Sequence, residues 1–94
     1  MSIRITARHM SGGTSHQHIA EVKWTNEANG NAGELSRADA VKWLDENKAN
    51  TAYVTDAQGR RAYVATRHPA NAAAYIQTYA DNVWTDNLLA LPTY

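Results

Sequence analysis

Three of the four histidines, His9, His16 and His18, lie in one short stretch, with Gly12-Gly13 between the first two. Imidazole changes charge near neutral pH and is the commonest metal ligand. Paired glycines let backbone N–H groups approach an anion closely. The stretch IRITARHMSGGTSHQHIAEVKW is therefore where chemistry is to be sought. Three readings fit it. In the first, His9 and His18 are half-buried, hydrogen-bonded residues that complete a core, the ordinary fate of a patterned histidine. In the second, His9, Gly12, Gly13, Thr14, His16 and His18 surround a phosphate or another anion. In the third, His16-Gln17-His18 is an H-x-H element and His9 a third ligand. Three histidines would then hold zinc and leave one position for water.

Something must position these side chains, and the flanking pattern is a hairpin. Ile3, Ile5, Ala7 and His9 alternate with Arg4, Thr6 and Arg8. His18, Ala20, Val22 and Trp24 alternate with Ile19, Glu21 and Lys23. Period-two alternation marks half-buried strands. Superposing the two apolar faces places Ile3 opposite Trp24, Ile5 opposite Val22, Ala7 opposite Ala20 and His9 opposite His18. The two imidazoles then meet under the glycine loop, unless the register slips.

Thr25 to Gly33, rich in Asn and Gly, reads as a connector. Ser36 is a helix N-cap, with Asp39 three residues on and Leu35 and Ala40 as a small staple. Asp39 suits the helix dipole and Arg37 opposes it. Ala40, Val41 and Leu44 form the stripe that should lie on the sheet, with Trp43 packing at its edge, and the helix should end between Asn47 and Asn50. Thr51 to Thr55 and Arg60 to Thr66 form a second hairpin around Asp56-Ala57-Gln58-Gly59, where an early Asp and a late Gly suit the turn. Arg60 and Arg61 point to opposite faces. His68, before Pro69, reads as a plain loop residue. Tyr75 to Tyr79 is assigned to a strand, although Ala70 to Ala74 has helical composition. Thr85 caps a helical turn that stops before Pro92.

The charge balance, zero with neutral histidines, offers no footprint for non-specific nucleic-acid binding. With no cysteine, disulfides and thiolate chemistry are excluded. There is no apolar run of membrane length and no leader, so a cytoplasmic protein is expected. The 94 residues suit one domain, residues 1–94. Eight aromatics, three Trp and five Tyr with no Phe, have polar tips that want partners; a homo-oligomer is expected, with some of Tyr53, Tyr63, Tyr75, Tyr79 and Trp84 at the boundary. No Ser-His-Asp, P-loop, HExxH or Rossmann motif is present.

The pieces HMSGGTSHQHI and WTDNLLALP, joined by AYVTDAQGRRAYV and YIQTYAD, resemble the bacterial and phage family called domain of unknown function 3892. The resemblance covers nearly the whole chain. It implies a small α+β domain and assigns no catalytic residue. Its polar positions are His9, Gly12, Gly13, His18, Thr78, Asp81, Asp86 and Asn87, the last two also being ordinary turn and cap residues.

The resulting expectation is an α+β fold: hairpin, helix, hairpin and final strand in an antiparallel sheet, with the helix on one face. The expected function is non-enzymatic. A small polar or anionic ligand, nucleotide-like in one version, is held by His9, Gly12, Gly13, Thr14, His16, His18, Asp86 and Asn87, without a cofactor. Sequestration of such a ligand, or the blocking of a host protein, suits a phage origin. A metal-dependent hydrolase using His9, His16 and His18 is the alternative, with Glu21 or Asp81 as a base without geometry. A purely structural interaction domain is the third.

Overall fold

In the computed structural model, which describes residues 1–80 and 83–94, the chain folds around its first strand. β1 (Ser2–Met10), β2 (Ile19–Thr25), β3 (Ala32–Ser36), β4 (Thr51–Thr55), β5 (Arg61–Arg67), β6 (Tyr75–Ala80) and β7 (Val83–Thr85) form one sheet in the order β3-β2-β1-β4-β5-β6-β7. One helix, α1 (Arg37–Glu46), packs over β2, β3, β5 and β6. The fold is α+β. The Cα radius of gyration, 12.4 Å, is that of a closely packed chain of this length.

The sheet is mixed, which corrects the antiparallel expectation. β1 and β4 run parallel, with Ile3 beside Ala52. The reason is the helix. β3 lies antiparallel to β2 and so runs with β1; α1 then carries the chain across β2 and β1 and returns it in the same direction as β4. Parallel strands require such a crossover. The Asn/Gly segment is also shorter than expected as a connector. Asn26 closes it with bonds from its N–H to Asn31 O and from Gly30 N–H to its own carbonyl, and Ala32 already pairs with Thr25.

α1 begins at the expected cap, where Ser36 Oγ accepts from Asp39 N–H at 3.1 Å. It ends at Glu46, before Asn47. The second hairpin turns as expected, with Gly59 at φ +82° and Asp56 accepting from the N–H groups of Gln58 and Arg60. Tyr75–Ala80 is a strand. The tail departs from expectation: Val83–Thr85 is a strand, and the helical turn, Asn87–Ala90, follows it.

The core lies between the sheet and α1. Ile3, Ile5, Ile19, Val22, Ala52, Val54, Ala62, Val64 and Ile76 meet Ala40 and Val41, and Leu88 from the tail turn is fully buried among them. Beyond Arg4, the edge of β1 that β4 leaves is taken by the tail: Arg8 N–H donates to Pro92 O and Arg8 O accepts from Tyr94 N–H. Among the described residues no helix is long and apolar enough to cross a membrane.

Candidate functional site

The first hairpin does not pair in the expected register. Ile5 lies opposite Trp24, Arg8 opposite Val22, His9 opposite Glu21 and Met10 opposite Ile19. Irregularities between Ile5 and Ala7, and between His9 and Met10, shift the pairing. A bulge adds a residue to one strand and re-aims the side chains beyond it. It lets Met10 continue the buried side begun by Ile3 and Ile5, which strict alternation forbids. His18, moreover, is not in the strand; residues His16–His18 form a 3₁₀ turn before β2. The expected His9–His18 pair is therefore absent.

The three histidines have three different surroundings. His9 bonds through Nδ1 to the carbonyl oxygen of Tyr94 and tilts against its ring, with centroids 5.5 Å apart. Lys23 Nζ lies 4.5 Å from the same ring. His16 is buried, and its Nε2 has no hydrogen-bond partner. Burial pushes the His16 imidazole below its ordinary pKa; Asp86 opposes this, and Arg67 and Arg8 add to it. His18 lies on Gly13, with Nδ1 2.8 Å from Ser15 Oγ. Among the described residues no three metal-ligating side chains come together, so the zinc triad of His9, His16 and His18 is not assembled.

The loop glycines serve His18 in different ways. A Cβ on Gly13 would lie 2.6 Å from the ring, so the stack requires the missing side chain. Gly12 supplies the left-handed backbone, φ +80°. Thr14 is exposed. Of the tail positions, Asp86 precedes the Asn87–Ala90 turn without a side-chain cap bond, and Asn87 borders a separate cleft with Val54 and Leu91. The structure thus gathers Gly12, Gly13 and His18, brings Asp86 within electrostatic reach of His16, and leaves His9, Thr14 and Asn87 elsewhere. Two polar positions of the resemblance remain: Thr78 is fully buried, its Oγ1 donating to Thr85 O at 3.0 Å, and Asp81 lies outside the described residues.

A cleft of about 340 Å³ opens beside His18. Ser11, His18 and Ala20 line one side; Ser36, Arg37 and Ala38, the start of α1, line the other. Helix N-terminal N–H groups have no intrahelical acceptors and carry the positive end of the dipole. Asp39 N–H is taken by Ser36. Arg37 donates through Nη1 to the Gln17 carbonyl, tying the helix start to the histidine turn and holding a cation at the cleft wall. When Ser15 donates to His18 Nδ1, the tautomer with hydrogen on Nε2 makes His18 a donor as well. The arrangement can receive an anion. Ser11, Ser36 and Arg37 were not among the sequence candidates. The available signal was Arg37 itself, a cation in a first helical turn where the dipole disfavours it.

A family model described as "Protein of unknown function (DUF3892)" matches residues 4–92. No curated protein and no solved structure matches the chain. The match takes in both strands that flank the histidine loop and the helix start that faces it, and on that extent the chain belongs to the DUF3892 family.

Proposed function

We propose that the chain is a non-enzymatic binding module that holds a small anion, of phosphate or carboxylate type, between the Gly/His loop and the start of α1. One observation carries this reading: His18 and Arg37 border the same cleft as the N-terminal end of a ten-residue helix. These are three different attractions for an anion: a ring N–H donor, a fixed cation and the positive end of a helix dipole. The cleft volume, about 340 Å³, lies at the small end of ligand sites. Among the described residues no carboxylate lines it, so no like charge there opposes an anion. A nucleotide-like ligand would fit through its phosphate, and sequestration is the mode this lining suits.

Isothermal titration calorimetry with inorganic phosphate and with a nucleoside monophosphate tests the proposal. His18→Ala and Arg37→Gln should each weaken binding by about ten- to a hundredfold, as expected for one charge-assisted hydrogen bond of roughly 1.5–3 kcal/mol. Circular dichroism should show both variants folded. If neither anion perturbs the His18 ring signals in NMR, the cleft is not the site.

A further inference from the structure

The sheet face away from α1 carries a second, unrelated arrangement. Tyr53 lies opposite Tyr63, Tyr63 opposite Tyr79, and Tyr79 opposite Trp84. Directly opposed residues share a face, so four aromatic rings run in one row across β4, β5, β6 and β7. The ring centroids are 6.1 Å apart for Tyr53 and Tyr63, and 5.0 Å apart, edge to face, for Tyr79 and Trp84. The row is open to solvent at Tyr63, 49% exposed, at Tyr79, 38%, and at Trp84, 37%. Exposed apolar groups that adjoin one another mark a contact surface, whereas singly scattered ones do not.

Charge accompanies the rings. Arg61 and Arg67 alternate onto the same face as Tyr63. The Arg61 guanidinium lies 4.1 Å from the centre of the Tyr53 ring, and that of Arg67 lies 4.5 Å from the centre of the Trp84 ring. The sequences of these four strands, TAYVT, RAYVATR, YIQTYA and VWT, contain no Asp or Glu. The neutral balance of the whole chain therefore conceals a half-sheet that is aromatic and cationic. Beside this face Glu27 accepts from Tyr53 Oη at 2.7 Å and faces Arg4 at 3.5 Å.

We infer that the open face of β4 to β7 binds single-stranded nucleic acid, bases stacking on Tyr63 and Trp84 and phosphates meeting Arg61 and Arg67. Stacking on aromatics tolerates any base, because every base has a π face, and guanidinium groups beside the rings suit the backbone. A second copy of the chain fits less well. Two such faces packed together would set Arg61 and Arg67 against strands that offer no carboxylate. A duplex fits less well because its bases are already stacked. The zero net charge still argues against tight binding governed by the backbone alone; the affinity must come from the rings, and the salt dependence must be shallow.

Fluorescence anisotropy of the 94-residue chain with a labelled oligodeoxythymidylate of about twelve nucleotides tests this. At low salt the single strand should bind with a Kd of about 10⁻⁴–10⁻⁶ M and quench Trp84, and a duplex of equal length should bind far more weakly. Tyr63→Ala and Trp84→Ala should each weaken binding by about five- to a hundredfold, while Tyr63→Phe retains it. Two phosphate contacts give a log–log salt slope of about −1.4, and Arg61→Gln should bring it to about −0.7. Absence of single-strand binding, equal affinity for duplex, or no effect of the ring deletions overturns the inference. So does a dimer in light scattering that Tyr63→Ala converts to monomer, which would assign the face to a second copy. Should a ring deletion unfold the chain, an unchanged salt slope for Arg61→Gln still overturns it.

Discussion

His18 depends on two neighbouring glycines for separate reasons, and substitutions can pull those reasons apart. Gly12 is needed for its backbone angle, φ +80°, and a Cβ there would meet only ordinary contact, 3.7 Å from the His18 ring. Gly12→Ala should therefore cost about 1 kcal/mol of stability and leave anion affinity nearly unchanged. Gly13→Ala should do the reverse. Its Cβ would overlap the imidazole at 2.6 Å, so the half-buried ring must turn out of its seat to clear it. Phosphate affinity should fall while the urea midpoint moves little, which calorimetry and urea titration read separately.

At the scale of elements, the start of α1 and the tail turn carry different loads. Ser36 satisfies one N–H of the helix and borders the cleft. Ser36→Ala should lower stability by about 1 kcal/mol in urea unfolding, the usual cost of a lost cap. The tail turn is a short 3₁₀ element, yet it buries Leu88 completely. Leu88→Ala should cost about 2–5 kcal/mol, as for a buried leucine elsewhere. The same variant should speed hydrogen exchange at the Arg8 and Tyr94 amides, whose bonds depend on the tail's lying against β1. α1 is held at its other end by Asp45, which accepts from Thr66 Oγ1 at 2.7 Å and pairs with His68 Nε2 at 2.9 Å. His68, read from sequence as a plain loop residue, thus anchors the helix to the end of β5.

For the molecule as a whole, the buried His16 makes stability depend on pH. Its folded-state pKa lies below the ordinary value, chiefly because burial disfavours the charged ring. The unfolded chain then takes up the proton first as pH falls, so the stabilisation is complete above about 6.5 and is lost on acidification below it. Asp86 moderates this loss, and Arg8 and Arg67 deepen it. Urea midpoints at pH of about 7.5 and 5.5 should differ for the native chain, with the acid value lower, and the difference should shrink in His16→Gln. A flat profile would mean that His16 reaches solvent.

The sequence alone determined the pieces whose signals are local. Ser36 with Asp39 announced the start of α1, Asp56 with Gly59 announced the second turn, and the alternation in residues 3–9 and 18–24 announced two strands. Each depends on backbone preferences over a few residues, which neighbouring side chains express without help from the rest of the fold. The Gly/His loop was also legible as the place to look, because residue types in close spacing are visible without coordinates. Tertiary structure decided the rest. Two irregularities in β1, the short strand at Ala32–Ser36 and the 3₁₀ turn at His16 follow from filling a core that alternation cannot predict. The parallel pairing of β1 with β4 follows from the path of α1 across the sheet. The meeting of His18 with Arg37 and the row from Tyr53 to Trp84 join residues distant in sequence. Such encounters are set by which strands become neighbours, and that is settled only when the whole sheet closes on one core.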